Sequence, residues 1–178
     1  MTDADPQDRF RRLFEASFDD LSRFVRRRIS DGEDIVSETF TIAWRRLDQV
    51  PTDRGEARAW LFTVARGLMA NRRRKDARLS GWQPPEIAEP DHTSATETRI
   101  DLARAFARLS GPDQECLALL AWDGLTPTQA ATVLGITRSA FGVRVHRARR
   151  RLRAALNAGP ASRPTSQQRT RSPEGNPP

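Results

Sequence analysis

The chain is poor in the residues that would let it work by covalent or metal chemistry. Of 178 residues one is cysteine, Cys116, and two are histidine, His92 and His146. A single cysteine cannot form an intrachain disulfide or a thiolate cluster. Two histidines on separate segments, with no acid or thiol at ligand spacing, do not make a metal site. Cys116 therefore reads as a small buried apolar residue, and neither metal nor cofactor is expected. No run of eighteen apolar residues occurs, so no membrane insertion is expected, and the acidic start MTDADPQDRF lacks the apolar stretch of a signal peptide. Both absences point to the cytoplasm. Also missing are a glycine-rich phosphate loop, a nucleophile elbow and a carboxylate pair set in an apolar pattern, so the chain is not expected to be an enzyme. Lysine is nearly absent too: Lys75 is the only one among thirty basic residues. Arginine suits bidentate contacts to phosphate and guanine.

What the chain does have is positive charge, unevenly placed. The net charge is +7, and residues 138 to 153 alone carry seven arginines and no acid. Residues 81 to 98 are acidic, with Glu86, Glu89, Asp91 and Glu97 and no base. A basic stripe confined to one short element is the electrostatic footprint of a phosphate-backbone binder.

Apolar residues recur with helical period along most of the chain and nowhere with a clean period of two, which predicts an all-α fold with no sheet. A first helix, about Gln7 to Ile29, aligns Phe10, Leu13, Phe14, Phe18, Leu21 and Val25 and stops near Gly32. A second, Glu33 to Leu47, aligns Val36, Phe40, Ala43, Trp44 and Leu47, with Glu33 and Asp34 at its positive end. After turn residues Val50 to Gly55, a third from about Glu56 aligns Ala57, Trp60, Leu61, Val64 and Leu68 and runs into Asn71-Arg72-Arg73-Arg74-Lys75. Residues 1 to 79 form one small helical domain on this reading. An acidic, Pro-containing linker covers 80 to 98, where Gly81, Pro84, Pro85 and Pro90 break the pattern and Trp82 is the isolated aromatic. A second domain, 99 to 157, resumes with Ile100, Ala103, Phe106 and Leu109, then a helix from Pro112 or Asp113 through Trp122, closed by Asp123-Gly124. The tail from 158 to 178 has no apolar anchors and reads as disordered. Trp44, Trp60 and Trp122 fit apolar stripes and read as core residues rather than base-stacking platforms.

The most informative segment opens at Thr126-Pro127, an N-cap followed by proline at the first helical position. A short helix through Ala130, Ala131 and Leu134 ends at Gly135, which can take the left-handed conformation. A second helix from Arg138 buries Phe141, Val145, Ala148 and Leu152. Its other face presents Arg138, Ser139, Gly142, Val143, Arg144 and Arg147, and His146 reads as a surface group beside them. Small alanines, a glycine turn and a basic second helix make a helix-turn-helix, whose second helix enters the major groove. Such a motif also serves a polymerase-independent regulator, which would bind palindromic duplex alone. A nucleic-acid-modifying enzyme would need clustered acids beside the basic surface, and residues 138 to 153 contain none.

Three stretches, Glu33 to Leu47, Ala59 to Arg66 and Gly135 to Leu152, carry a resemblance to a known family. The chain resembles the extracytoplasmic-function (ECF) sigma factors of the sigma-70 family, over about Phe10 to Arg78 and Leu102 to Leu156. The resemblance implies that core RNA polymerase and promoter DNA are partners and that an anti-sigma protein restrains the factor. It places core polymerase on Asp34, Glu38, Arg45 and Arg46. It assigns capture of unstacked minus-10 bases to the loop Val50 to Gly55 with Asn71, Arg72 and Arg73, where a cationic channel would track the backbone. It gives the minus-35 duplex to Arg138, Ser139, Gly142, Val143, Arg144 and Arg147. The sequence departs from the family pattern at Ser37, Gly67 and Gly142, where Gln, Asn and Lys are common.

Overall fold

The computed structural model describes residues 5–80 and 97–158, with side chains described for 5–76 and 100–158. The linker with Trp82 and His92, apart from its helical edges, and the tail beyond 158 lie outside the described residues. Among the described residues seven α-helices follow in order: α1 (Pro6–Arg26), α2 (Glu33–Arg45), α3 (Arg54–Ser80), α4 (Glu97–Ala107), α5 (Gly111–Ala121), α6 (Pro127–Leu134) and α7 (Arg138–Asn157). A single 3-10 turn, Leu47–Gln49, follows α2, and no strand occurs among the described residues. The all-α expectation holds.

Local chemistry sets the helix ends. The Asp5 carboxylate accepts from the Gln7 amide at 3.2 Å and Pro6 opens α1. Between α1 and α2 the backbone reverses at Gly32, where an added Cβ would lie 2.4 Å from Val25 Cγ1 and 2.8 Å from Ile29 Cγ2, so the close approach admits only glycine. Ser110 caps α5, and Thr126 caps α6 in a reciprocal box: its hydroxyl accepts from the Gln129 amide at 3.3 Å while Gln129 Oε1 accepts from the Thr126 amide at 2.9 Å. Gly135 ends α6 at φ 65°. Thr126→Ala should cost about 1 kcal/mol by removing half of that box. A urea midpoint unchanged from the parent chain would show that α6 does not depend on its cap.

The first three helices pack around Leu21, Phe24, Val25, Ile35, Phe40, Leu61 and Phe62, with the Phe24 and Phe62 rings stacked 4.2 Å apart. Sequence periodicity assigns α3 one apolar stripe, but the helix is buried on two sides. Ala59, Phe62, Ala65 and Met69 are buried as well as Ala57 and Leu61. The reason is α6, which packs on α3 and brings Leu125, Ala130, Ala131 and Val133 into the same buried cluster. A smaller cluster of Leu109, Leu117 and Ala148 holds α4, α5 and α7 together.

Trp44 and Trp122 differ from the reading that made them core. Each is roughly half exposed and packs edge or face on one neighbour, Trp44 on Phe10 at 5.2 Å and Trp122 on Phe106 at 4.8 Å. Trp60 is partly buried against the main cluster. A stripe position faces the core only where another helix covers it, and none covers the outer ends of these two.

Candidate nucleic-acid interface

In the α6-turn-α7 unit, α6 packs on α3, and α7 packs on α4, α5 and α6. Phe141, Val145 and Ala148 anchor α7 to α5 and α6, which leaves Arg138, Ser139, Gly142, Val143, Arg144 and Arg147 all exposed. Thr137 caps α7, its hydroxyl accepting from the Ala140 amide at 3.2 Å, and the Arg138 guanidinium donates to Thr128 Oγ1 at 3.1 Å. That bond fixes the first basic side chain at the mouth of the turn. A Cβ at Gly142 would meet nothing within 4 Å, so the bare position leaves open space on the helix face. Arg144 lies nearer the flank than the centre. Burial pushes the Cys116 thiol up, and the Arg144 guanidinium is close enough to oppose that rise. Ser139, Val143 and Arg150 lie most directly opposite the buried residues, and all three are exposed. Arg150 was missing from the sequence-based set; counting 3.6 residues per turn from Phe141 would have found it.

Helix α2 presents a mixed surface. Asp34, Glu38, Arg45 and Arg46 are exposed, facing away from Ile35, Val36, Thr39, Phe40 and Ala43. Beside them runs an aromatic groove that the sequence reading assigned to the core. Phe14, Phe18 and Trp44 are 39%, 42% and 46% exposed, and they surround the buried Phe40 together with Phe10. An exposed cluster of large aromatics is a feature of interaction surfaces rather than of solvated ones.

The structure brings together residues that the sequence reading kept apart. Arg72 Nη1 donates to Asp34 at 3.0 Å and to the Asp31 carbonyl at 2.6 Å. A candidate minus-10 residue is thus paired with a candidate polymerase-binding one. Arg73 donates to the Arg28 carbonyl at 3.1 Å, and Asn71 Oδ1 accepts from Arg74. The turn Val50 to Gly55 is held at both ends, by Arg9 donating to the Val50 carbonyl at 2.6 Å and by Asp53 capping α3 through the Glu56 amide at 2.9 Å. Beyond it, Arg58 donates to Asp20 at 3.1 Å and to the Gly124 carbonyl at 2.9 Å. Burial pushes the Asp20 carboxyl up, but hydrogen bonds from Arg58 and Arg23 outweigh it and hold the group below its ordinary value.

A basic helix-turn-helix joined to a second helical unit with its own polar and aromatic face defines a helical DNA-binding protein of two functional parts. Comparison with known proteins makes the class specific. Residues 13–79 match Sigma-70 region 2 and residues 99–152 match the Sigma-70, region 4 model. The chain is 34% identical over 160 residues to the ECF RNA polymerase sigma factor SigL of Mycobacterium tuberculosis, covering 81% of this chain and 89% of the relative. It is 34% identical over 146 residues to the RNA polymerase sigma factor CnrH of Cupriavidus metallidurans, covering 72% and 75%. Among solved structures it is similar to the sigma factor RpoE of Bartonella quintana in complex with the anti-sigma factor NepR, with a TM-score of 0.65, 26% identity and coverage of 85% of this chain and 98% of that one. It is also similar to CnrH in complex with the cytosolic domain of CnrY, with a TM-score of 0.57, 30% identity and coverage of 85% and 89%. The chain belongs to the sigma-70 family, among its ECF members.

Proposed function

We propose that this chain is the promoter-recognition subunit of a bacterial RNA polymerase, binding core enzyme through α2 and reading two promoter elements through its two halves. The observation that carries the reading is the pair of family matches, in order, on α1–α3 and on α4–α7. Residues 1–79 serve as the polymerase and minus-10 unit and 99–157 as the minus-35 unit, with 80–98 between them and 158–178 as a tail. The exposed acids Asp34 and Glu38, with Arg45, Arg46 and the neighbouring aromatic groove, form the docking face for core polymerase. Asn71, Arg72, Arg73 and the turn Val50 to Gly55 take the melted minus-10 strand. Arg138, Ser139, Gly142, Val143, Arg144 and Arg147, joined by Arg150, take the minus-35 duplex. The protein acts by binding, and the chemistry of transcription belongs to the polymerase. It works in the cytoplasm, where an anti-sigma partner restrains it; the two structural relatives described above were solved with such partners.

The direct test is co-elution with sigma-free core polymerase on a sizing column followed by promoter-specific transcription in vitro. Failure to associate, with tight binding of the chain alone to a palindromic duplex, would replace this reading with a polymerase-independent regulator. Reversing the two exposed acids, Asp34→Arg with Glu38→Arg, should weaken competition for core polymerase at least about tenfold, as unlike charges across an interface become like ones. The helical circular dichroism should stay unchanged. Full competition by that variant would remove α2 from the docking face.

A further inference from the structure

The seven arginines of α7 do not stand alike. Successive residues of an α-helix turn by about 100°, which sorts them by direction. Arg144 and Arg151 fall on the flank that faces α5: Arg144 lies near Cys116, and Arg151 donates to the buried Asp113 carboxylate. Arg138 falls on the other flank, about 60° round the helix from Phe141 and on the side of Val145. That flank faces α6, and there the Arg138 Nε donates to Thr128 Oγ1 at 3.1 Å. Ser139 and Val143, each two residues from Phe141, stand about 160° away from it on the outermost face.

Thr128 is not needed to build α6. The cap of that helix is the reciprocal pair of Thr126 and Gln129, and among the described residues the Thr128 hydroxyl has one partner, Arg138. Both residues are exposed, where a single polar contact contributes little to folding. What the bond does is select one arrangement of a long side chain that otherwise samples many. A side chain already ordered loses less freedom when it meets its ligand.

The same bond determines which edge of the guanidinium is left. Arginine carries five N–H donors in a planar fork, and here Nε is used. The Nη1 and Nη2 end remains, with two parallel N–H groups that match a pair of phosphate oxygens. A guanine edge would accept the same pair of donors, so position decides between them. In a helix-turn-helix the first helix crosses the DNA backbone and the second lies in the groove. Arg138 sits where the two helices meet, on the α6 flank, and not on the outermost face with Ser139, Val143 and Arg150. It therefore meets the wall of the groove, which is phosphate, rather than its floor.

We infer that Thr128 is a positioning residue for DNA binding, holding Arg138 in the arrangement that sets its Nη edge on a backbone phosphate of the minus-35 duplex. The inference rests on the assignment of α7 to that duplex, and it adds a residue of α6 to an interface otherwise built from α7. A phosphate contact carries no sequence information, so Thr128 acts on affinity and on the register of α7 at every promoter alike.

The test uses holoenzyme reconstituted with the full chain and measures its affinity for a promoter duplex across a salt series. Thr128→Val keeps the shape of the side chain and removes the acceptor. Affinity should fall about threefold, on the scale of immobilising one long side chain. The slope of log affinity against log salt should not change, because no charge is lost. Thr128→Ser should restore the affinity, and Thr128→Val should unfold at the parent's urea midpoint. Arg138→Ala should lower the slope by about 0.9. In that background Thr128→Val should have no further effect, as two residues acting through one contact require. Full affinity of Thr128→Val would overturn the positioning role, and so would an equal loss in the Arg138→Ala background. An unchanged slope for Arg138→Ala would overturn the phosphate contact. Failure of the sigma reading itself shows separately, as loss of co-elution with core polymerase by the parent chain.

Discussion

Phe24→Ala is expected to destabilise the protein by about 3–5 kcal/mol, the range for removing a fully buried aromatic ring from a packed core. Phe24 has no exposed surface, stacks on Phe62 at 4.2 Å with rings 15° from parallel, and carries the Arg28 guanidinium on its other face. Truncation therefore removes three things together: the contact of α1 with α3, the ring beneath Arg28, and the support that aims Arg28 at Asp123. For a domain of marginal stability this loss is a large share of the total. Urea unfolding followed by circular dichroism gives the number. A loss under about 1 kcal/mol, well below that range, would mean that α1 and α3 are not held by this pair. Arg28→Met separates the contributions, because it keeps an apolar stem over the ring while removing the charge that reaches Asp123 and Glu115.

The helices and the helix-turn-helix were legible in the sequence because their signals are local. Thr126, Pro127, Gln129 and Gly135 start and stop α6 through bonds within a few residues. The apolar positions Phe141, Val145 and Ala148 orient α7 by periodicity alone, which left the basic residues exposed. What stayed hidden depends on packing between segments distant in sequence. Asp123 reads as turn chemistry, yet it is buried beneath two arginines some ninety-five residues earlier. Ala59, Phe62, Ala65 and Met69 fall outside the single stripe that periodicity assigns to α3, and they are buried because α6 as well as α1 and α2 packs on that helix. Phe14 and Phe18 share a stripe with Leu21 and Val25, and periodicity cannot say that the covering layer ends before reaching them. Arg72 and Asp34 were assigned to different partners, and only the fold shows that they neutralise one another.

Arg144→Ala with Arg147→Ala should weaken promoter binding by the holoenzyme and flatten its dependence on salt. Removing one phosphate neutralisation lowers the slope of log affinity against log salt by about 0.9, so the pair should lower it by about 2 if both side chains meet phosphates. Arg147 is the cleaner of the two, because it is exposed on the face away from Phe141 and Val145. Arg144 also lies against the α5 edge near Cys116, so its removal can disturb packing as well as charge. The single variants therefore discriminate. A side chain that meets phosphate changes the slope, whereas a packing role changes affinity at every salt concentration and leaves the slope as it was. If Arg147→Ala alone leaves the slope unchanged while Arg150→Ala lowers it, the DNA-facing side of α7 is rotated toward Ser139, Val143 and Arg150, the residues that lie most squarely opposite its buried face. Unchanged slopes for all of them would remove α7 from the duplex.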